Sequence, residues 1–297
     1  MKGSVLVTGA TGFLGRRAVD LLGGGDWEVH AVARTALTGR RDGVVWHAAD
    51  LLANGVPEAL VQATRPTHLL HLAWTARPGV FWHDPANVLW TAATLRLVGA
   101  FAVAGGTRVV AAGTCAEYDW TYGFCSESVT PLRPATSYGA AKLAVATALE
   151  PWAARVGVDF TWVRLFHLYG PGEPAGKLIA DVVSALRSGH PVDLTPCEQW
   201  RDFLHVDDAA RGLVHLLDHG PPQAVNLASG RPVAVRQAIE LLGSVSGRPE
   251  LLHFGVRPTS ADEPPLLAAD VRRILATGWH PEVALESGLA ALLCDAP

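Results

Sequence analysis

Short apolar runs recur along the first two thirds of the chain and alternate with stretches long enough for helices. The runs are continuous rather than alternating, which is typical of strands buried on both faces of a sheet. The predicted strands are Ser4–Thr8, Trp27–Ala33, Val44–Ala48, His68–Ala73, Thr107–Ala112 and Asp159–Phe166, with Gln223–Asn226 returning to the same sheet. The helical stretches between them include Gly12–Leu22, Pro57–Thr64 and Asn87–Ala104. The pattern predicts an α/β fold with a Rossmann-type, doubly wound parallel sheet.

The alternation of strand and helix ends near Tyr169, where glycines and prolines cluster over residues 170–174. Shorter helical stretches and proline-containing loops follow. We therefore predict two parts, each of which is made of two separate ranges of the chain. The first is a dinucleotide-binding domain over residues 1–170 plus about 204–228. The second is a smaller C-terminal α/β part that binds substrate, over residues 171–203 and 229–297.

A glycine-rich turn follows the first predicted strand directly, in the segment Thr8-Gly9-Ala10-Thr11-Gly12-Phe13-Leu14-Gly15. Glycines at this spacing let the backbone turn tightly and approach a pyrophosphate, and the following helix directs its unpaired N–H groups toward the phosphates. The spacing is a variant of the usual dinucleotide fingerprint. A strand–helix turn without a ligand is the alternative. We predict a dinucleotide site here.

The end of the second strand distinguishes the two nicotinamide cofactors, because an acidic residue there favours NAD and a basic one favours the 2′-phosphate of NADP. This strand is followed by Arg34, with Arg40 and Arg41 close behind and no acidic residue at its end. The prediction is NADP(H), with NAD as the other possibility if the arginines only solvate a loop. Asp50 follows the third strand and is placed either to bind the adenine amino group or to cap a helix.

Tyr138 and Lys142 are four residues apart in Ser-Tyr-Gly-Ala-Ala-Lys, and therefore share one face of a helix. A tyrosine with its ordinary pKa of about 10 exchanges protons poorly at neutral pH. An ammonium one turn away stabilises the phenolate and is expected to lower that pKa. Thr114, at the end of the fifth strand, adds a hydroxyl for the reacting carbonyl oxygen. These residues predict redox catalysis.

The ordered set of motifs resembles the extended short-chain dehydrogenase/reductase superfamily, in its branch of NAD(P)-dependent nucleotide-sugar epimerases, dehydratases and reductases. The resemblance covers essentially the whole chain. It rests on TGATGFLG at 8–15, Asp50-Leu51, HLAW at 71–74, GTCAEY at 113–118, SYGAAK at 137–142, RLFHLYGPGE at 164–173, RDFLHVDD at 201–208, NLASG at 226–230 and the segment from Asp270 to Leu289.

The resemblance implies a role for each matched position. Thr114, Tyr138 and Lys142 are the implied catalytic residues, and Arg201 and Arg257 the implied ligands of a substrate diphosphate. An ion pair of Arg201 with Asp202 or Asp207 is the alternative. The implied cofactor-binding residues are Gly9, Thr11, Gly12, Phe13, Leu14, Gly15, Arg34, Asp50, Leu51, Leu72, Ala73, Trp74, Tyr138 and Lys142.

The two positions after Thr114 bear on the reaction. Relatives that resemble 4,6-dehydratases carry Asp-Glu there, and epimerase-reductases carry a cysteine in the second position, whereas this chain has Cys115 and Ala116. Cys115, Ala116 and Glu117 are expected to line the sugar pocket, although Cys115 could simply be a small buried residue. His167 stands where the family commonly has asparagine, and is either a substrate ligand or a strand-end hydrogen-bonding group.

The residues that remain suffice for one reversible hydride transfer. The expected function is NADPH-dependent reduction of a nucleotide-linked 4-keto-6-deoxyhexose at C4, in deoxysugar biosynthesis. An NAD-dependent nucleotide-sugar 4-epimerase is the main alternative, and a non-catalytic NADP-binding protein is a remote one. The resemblance also implies a homodimer formed through the helix that carries Tyr138 and its neighbour.

Composition and charge exclude several other classes. A net charge of −4 without a basic cluster argues against a nucleic-acid partner. The apolar stretch from Leu89 to Gly106 contains an arginine and glycines, so we predict a buried helix rather than a membrane span. The N-terminal sequence does not fit a signal peptide. Four widely spaced cysteines form no Cys-x-x-Cys pair, which predicts reduced thiols in the cytoplasm and no structural zinc.

Overall fold

The structure is a computed structural model that describes residues 2–35, 43–260 and 262–294. Its strands are β1 (Gly3–Thr8), β2 (Trp27–Ala33), β3 (Val44–Ala48), β4 (His68–His71), β5 (Arg108–Thr114), β6 (Phe124–Cys125), β7 (Asp159–Leu165), β8 (His167–Tyr169), β9 (Val192–Asp193), β10 (Trp200–Arg201), β11 (Phe203–His205), β12 (Ala224–Leu227), β13 (Val233–Ala234), β14 (Leu252–His253) and β15 (Leu266–Ala269).

The α-helices are α1 (Gly15–Gly23), α2 (Val56–Thr64), α3 (Ala86–Val103), α4 (Ser137–Val156), α5 (Leu178–Ser188), α6 (Val206–His219), α7 (Val235–Ser246), α8 (Arg272–Leu275) and α9 (Leu285–Cys294). Single turns of 3₁₀-helix cover Phe81–His83, Cys115–Glu117, Trp120–Tyr122 and Pro249–Leu251.

Seven strands form one parallel sheet in the order β12-β7-β5-β4-β1-β2-β3. The predicted fold class is therefore confirmed. β2 and β3 have the predicted bounds, and β5 continues two residues beyond the predicted end, so that Thr114 is the last residue of the strand. The strand order reverses direction between β4 and β1. In such sheets ligands bind at this reversal, outside the carboxyl ends of the strands.

The two faces of the sheet are covered by different helices. Successive residues of β1 point to opposite faces, so that Val5 and Val7 join one hydrophobic core and Leu6 joins the other. α1 and α6 pack together on the first face, while α2, α3 and α4 form the layer on the second. This arrangement buries the strands on both sides, which explains their continuous apolar sequences.

The helix α3 is apolar on all sides, and is long and apolar enough to cross a membrane by length and composition alone. Trp90, Leu97 and Phe101 are nevertheless buried in the core, and the helix packs against α2 and α4. One face of α3 is thus packed in the core, while the other is exposed at Val88, Leu89 and Val103, so the helix that was predicted to be buried is only partly buried.

The C-terminal part is built on a smaller sheet in the order β13-β10-β15-β6, with α5, α7 and α9 packed around a separate core. β12 lies in the seven-stranded sheet beside β7. β6 belongs by sequence to the predicted dinucleotide domain but pairs with β15 of the C-terminal part. The two parts are thus joined through a shared sheet, and the exact domain bounds stay a prediction.

Candidate active site

The turn between β1 and α1 is compact because glycine occupies two of its positions. Gly9 has φ +70, and a Cβ there would lie 2.7 Å from the backbone nitrogen of Ala73. A Cβ on Gly15 would lie 2.0 Å from the carbonyl oxygen of Gly9. The α1 helix has no side-chain cap at Leu14, although the backbone N–H of Arg16 donates to the carbonyl oxygen of Gly12 at 3.1 Å. The start of a helix without a side-chain cap suits an anion.

A cavity of about 680 Å³ lies at the carboxyl ends of β1 to β4, where the strand order reverses. This size and position fit a dinucleotide. Of the residues predicted to bind the cofactor, the ones that line this cavity are Gly9, Thr11, Gly12, Arg34, Asp50, Leu51, Leu72, Ala73 and Trp74. Phe13 lines a neighbouring cavity instead, while Leu14 and Gly15 are buried in the core beneath the turn.

The residues predicted to distinguish the cofactors lie at the rim of this cavity. Arg34 is exposed and directly follows β2, so its guanidinium could reach a phosphate at that edge. Asp50 accepts a hydrogen bond from the backbone N–H of Leu52 at 3.1 Å, and therefore caps the turn after β3 while also lining the cavity. Arg40 and Arg41 lie outside the described residues.

A buried histidine, His71, lies beneath the glycine-rich turn and supports it. Its Nδ1 atom lies 2.7 Å from the hydroxyl of Thr8, and its Nε2 atom lies 2.9 Å from the hydroxyl of Thr94. Burial, helped by the positive charge of Lys142, lowers the pKa of this residue, His71, to about 3. The neutral imidazole thus fixes the last side chain of β1, immediately before Gly9. The sequence motif contained His71, but its supporting role was not predicted.

Thr114, Tyr138 and Lys142 are brought together by β5 and α4. Thr114 and Tyr138 face the same cavity, and the Nζ atom of Lys142 lies 6.0 Å from the centre of the Tyr138 ring. The expectation that the lysine lowers the tyrosine pKa is wrong for this structure, because burial raises the pKa of Tyr138. Tyr138 is therefore a protonated phenol at neutral pH, which suits a proton donor.

Lys142 is 3% exposed, and its ammonium donates a hydrogen bond of 2.7 Å to the carbonyl oxygen of Ala112 in β5. Burial lowers the pKa of Lys142 to about 7, although the carboxylate of Glu117 opposes this shift. The ammonium is located 3.9 Å from the centre of the Trp74 ring. Neither Tyr138 nor Lys142 lines the dinucleotide cavity, although Trp74, which contacts both side chains, does.

A second cavity, of about 400 Å³, opens beside Tyr138. The predicted catalytic and substrate-binding residues that line it are Thr114, Cys115, Tyr138, His167 and Arg201. Aromatic rings form much of its wall: Phe13, which was predicted to bind the cofactor, and four that were not predicted as site residues, namely Phe81, Trp82, Phe166 and Phe203. The Phe81 ring meets the Tyr138 ring edge to face, with centroids 4.9 Å apart. Apolar walls with a few polar groups are typical of sites for small molecules.

Glu117 does not line this cavity. The predicted contact of Glu117 with a substrate therefore does not fit its position. It is fully buried, and its carboxylate accepts hydrogen bonds from the backbone N–H of Thr114 at 2.8 Å and from Nε of Arg164 at 2.7 Å. The side chain therefore fixes the end of β5. Ala116 is 1% exposed and is also absent from the cavity wall. Cys115 does reach the wall, but burial raises its thiol pKa to about 12.

The two predicted diphosphate ligands lie in different surroundings. Arg201 lines the cavity but is ion-paired with Glu263 at 2.8 Å, rather than with Asp202 or Asp207 as the alternative assumed. The side chain of Glu263 is 33% exposed, so the pair faces the cavity. Arg257 is exposed and does not line this cavity, so the structure does not bring it to Arg201.

His167 presents a free ring nitrogen beside the cavity. Among the described residues its buried Nδ1 atom has no hydrogen-bond partner. Burial, together with the charges of Arg201 and Lys177, lowers the pKa of His167 to about 3, so the ring is neutral. Of the two predicted roles, this geometry favours a substrate ligand, because the ring makes no strand-end hydrogen bond through Nδ1.

Two ionisable residues of the cavity were not predicted. Glu173 lies on the boundary between this cavity and a neighbouring one of about 760 Å³, and Lys177 lies four residues later in the same wall. Burial raises the pKa of Glu173 to about 7 against the opposing charge of Lys177. Glu173 ends the motif RLFHLYGPGE, so the signal was present in the sequence but carried no assigned role.

The first turn of α1 is tied to the loop that carries Glu173. The guanidinium of Arg16 donates hydrogen bonds to the carbonyl oxygens of Pro171 and Gly172, at 3.1 and 2.9 Å, and Arg17 donates to that of Pro171 at 3.2 Å. These contacts join the edge of the dinucleotide cavity to the wall of the second cavity. The arrangement provides a cavity that fits a dinucleotide and a second cavity beside Tyr138.

Comparison with known proteins supports this interpretation. The sequence model of the NAD dependent epimerase/dehydratase family matches residues 5–228. A curated relative, the GDP-6-deoxy-D-mannose reductase of Pseudomonas aeruginosa, is 26% identical over 249 residues, covering 77% of this chain and 80% of the relative.

Two solved structures illustrate the likeness. The protein MoeE5, in complex with UDP-glucuronic acid and NAD, has a TM-score of 0.82 and 30% identity, covering 97% of each chain. The UDP-glucose 4-epimerase of Thermotoga maritima with UDP-glucose has a TM-score of 0.87 and 24% identity, covering 98% of this chain and 97% of that one. The second comparison bears on the fold alone.

Proposed function

Because the chain belongs to the NAD-dependent epimerase/dehydratase family, as its motifs predicted, we propose that it reduces a nucleotide-linked 4-keto-6-deoxyhexose at C4 with NADPH. NADPH, when bound, supplies the hydride that reaches the carbonyl carbon. Tyr138 donates its phenolic proton to the carbonyl oxygen, and the Thr114 hydroxyl donates a hydrogen bond to the same atom. Lys142 binds the nicotinamide ribose through its ammonium group.

The observation that carries the proposal is the composition of the cavity wall after Thr114. Cys115 presents a thiol whose pKa is about 12, and Ala116 is buried, so neither position offers a group that exchanges protons near pH 7. Dehydration needs such a group to remove a proton and expel water. A carbonyl reduction needs only the hydride and one proton donor, which Tyr138 provides.

NADPH is proposed over NADH because of the residue at the end of β2. Arg34 lines the rim of the dinucleotide cavity and is exposed, so it can pair with a 2′-phosphate. A guanidinium suits a phosphate because it donates in a fork geometry.

The test is an NADPH-oxidation screen against a panel of nucleotide-linked 4-keto-6-deoxyhexoses, with NMR of the product. We expect turnover with at least one of them. Tyr138→Phe should then lower turnover by about 10²- to 10⁴-fold, while NADPH binding, followed by fluorescence, changes little. Tyr122→Phe is the matched control, because that ring is 57% exposed. Failure to oxidise NADPH with every member of the panel would contradict the proposed substrate, and near-normal activity of Tyr138→Phe the proposed proton donor.

An NAD-dependent nucleotide-sugar 4-epimerase is the second candidate, favoured by the 30% identity to MoeE5, whose structure contains NAD and UDP-glucuronic acid. Such an enzyme would oxidise and re-reduce the same carbon with the same residues. Purified protein that carries NAD and converts a UDP-hexose without consuming NADPH would establish this activity instead. The remote alternative, a non-catalytic NADP-binding protein, is disfavoured because Tyr138 and Lys142 are both present.

We also propose a cytoplasmic homodimer that forms through α3 and α4. The solvent side of α3 exposes apolar side chains, among them Val88 at 72% and Leu89 at 58%. Exposed apolar groups on adjacent helices are typical of a self-association surface. Light scattering after size-exclusion chromatography is expected to give twice the chain mass for the parent, and the chain mass for Leu89→Glu.

A further inference from the structure

Trp74 contacts the buried catalytic lysine on the side of the dinucleotide cavity. The Nζ atom of Lys142 lies 3.9 Å from the centre of the Trp74 ring, well within the distance of a cation–π interaction. Trp90 stacks on Trp74 with centroids 6.0 Å apart and an interplanar angle of 25°. The Tyr138 ring meets Trp74 edge to face at 6.3 Å. Trp74 is therefore packed against both residues of the Tyr-Lys pair.

The orientation of the Trp74 ring is fixed by polar contacts. Its indole N–H donates to Oδ1 of Asn87 at 2.8 Å, and Asn87, which is 1% exposed, donates through Nδ2 to the carbonyl oxygen of Phe81 at 2.8 Å. Trp90 is held in the same way, because its indole N–H donates to the hydroxyl of Thr75 at 2.9 Å. The two hydrogen bonds of the buried Asn87 amide leave the Trp74 indole little freedom to rotate.

The charge of Lys142 has few other sources of stabilisation. The ammonium donates one hydrogen bond, to Ala112, and can donate three. Its charged neighbour is Glu117, whose carboxylate is already bonded to Arg164. The neutral imidazole of His71 and the neutral phenol of Tyr138 are also near, and the centre of the Trp162 ring lies 5.8 Å from Nζ, farther than that of Trp74. Burial of an ammonium is costly without compensation. The Trp74 ring is the closest group that attracts the charge without accepting one of its N–H bonds.

We propose that Trp74 is a positioning residue for Lys142: its ring holds the ammonium charged and in place, and leaves two N–H donors for the nicotinamide ribose. The inference rests on the proposed role of Lys142 in binding that ribose. A carboxylate in the same position would also stabilise the charge, but it would accept the N–H bonds that the ribose hydroxyls need. An aromatic ring attracts the ammonium through its electron-rich face and does not compete in this way.

The direct test measures the pKa of Lys142 in the intact protein. The chain has only three lysines, Lys2, Lys142 and Lys177, so labelling with ¹³C-lysine gives few side-chain signals, and Lys142→Arg identifies the one required. Trp74→Leu should lower the pKa of Lys142 by about half to one and a half pH units. Trp74→Phe, which keeps an aromatic face, should restore at least half of that difference. Trp200→Leu, at a ring that is 45% exposed, is the matched control and should change nothing.

A second readout is the pH dependence of kcat/KM for NADPH oxidation, with the substrate found in the screen. If a charged Lys142 is needed, the alkaline limb should move to lower pH in Trp74→Leu, by the same amount as the measured pKa, and return in Trp74→Phe. If Trp74→Leu loses activity while the alkaline limb and the pKa of Lys142 stay unchanged, the role of Trp74 is merely structural and the inference is overturned. A raised pKa would overturn it as well.

The two experiments separate this inference from the proposed function. If no keto sugar is reduced by the parent protein, the proposed function fails while the NMR titration of Lys142 still decides whether Trp74 holds the charge. If Trp74→Leu does not fold, as judged by circular dichroism, fluorinated tryptophan incorporated throughout the chain weakens the ring's attraction without changing its shape. The Lys142 pKa must then fall relative to the unlabelled protein, and an unchanged value rejects the inference.

Discussion

Replacing Lys142 by methionine should make the protein more stable at neutral pH, although it removes a catalytic residue under the proposed function. Lys142 is 3% exposed, and its pKa falls from 10.5 to about 7 on folding. The folded state therefore binds this proton less tightly than the unfolded chain. The resulting destabilisation is absent above pH 10.5, grows as the pH falls toward 7, and is complete below that value.

The magnitude follows from the size of this pKa difference. At 1.36 kcal/mol for each pKa unit, the charged lysine costs about 4 kcal/mol at pH 7. The methionine variant loses the attraction of the Trp74 ring and leaves the carbonyl oxygen of Ala112 without its donor. Together these losses reduce the stability of the variant by about 2–3 kcal/mol. We therefore expect a net gain of about 1–2 kcal/mol in the free energy of unfolding at pH 7, decreasing by about 3–4 kcal/mol toward pH 10, where the variant becomes the less stable protein.

Urea unfolding followed by tryptophan fluorescence measures the effect, and the ten tryptophans of the chain give a strong signal. The m-values of parent and variant must agree for the comparison to hold. Arg155→Met is the matched control, since Arg155 is an exposed cation in the last turn of the same helix and its replacement should change the free energy of unfolding little. The reasoning is refuted if Lys142→Met is less stable at pH 7, or if its advantage does not change with pH.

The remaining predictions concern three other charged residues. Glu117→Gln leaves the buried guanidinium of Arg164 without its carboxylate, and should reduce the free energy of unfolding by about 3–5 kcal/mol, whereas the exposed control Glu240→Gln should cost less than about 1 kcal/mol; equal losses in urea unfolding would contradict this. Arg34→Ala should weaken NADPH binding by about 10- to 100-fold and leave NADH binding unchanged, and a fluorescence titration that shows equal losses for both would reject the assigned role. Glu173, whose pKa is raised to about 7, destabilises the protein fully above that pH and not below 4.5, so Glu173→Gln should be more stable than the parent at pH 8 and equal to it at pH 4.5; a gain that is the same at both pH values would contradict the buried carboxyl.

The strands and the glycine-rich turn could be predicted because their signals are local. β2 and β3 begin and end at the predicted residues. β2 is buried along most of its length, as its apolar sequence indicates, whereas β3 is the edge strand of the sheet and is only partly buried. The carboxyl ends of parallel strands meet at one edge of the sheet. Residues that follow different strands, such as Gly12, Arg34 and Trp74, therefore line one cavity although they are far apart in sequence.

The partners of the charged residues could not be predicted, because they depend on which distant segments meet. Arg201 pairs with Glu263, which is 62 residues away in sequence. The two residues come close because the strands β10 and β15 pair with each other. Glu117 was expected in the sugar pocket because it follows Thr114. Its carboxylate instead turns inward to Arg164 on β7, a strand that the sequence pattern placed in the sheet without fixing its side-chain contacts.

The contacts of Arg16 and Arg17 with the loop at Pro171 and Gly172 limit how the parts of this protein can be exchanged. A chimera that takes its glycine-rich turn and α1 from a relative without these arginines would keep the loop but lose the side chains that hold it. The carbonyl oxygens would then lack their donors, and the wall carrying Glu173 would lose its support. Cofactor specificity can be engineered more safely at Arg34, because this residue lines the dinucleotide cavity after β2 and lies outside the turn that meets that loop. In a chimera, the segment 9–17 and the loop 170–173 should therefore be exchanged together or left in place together.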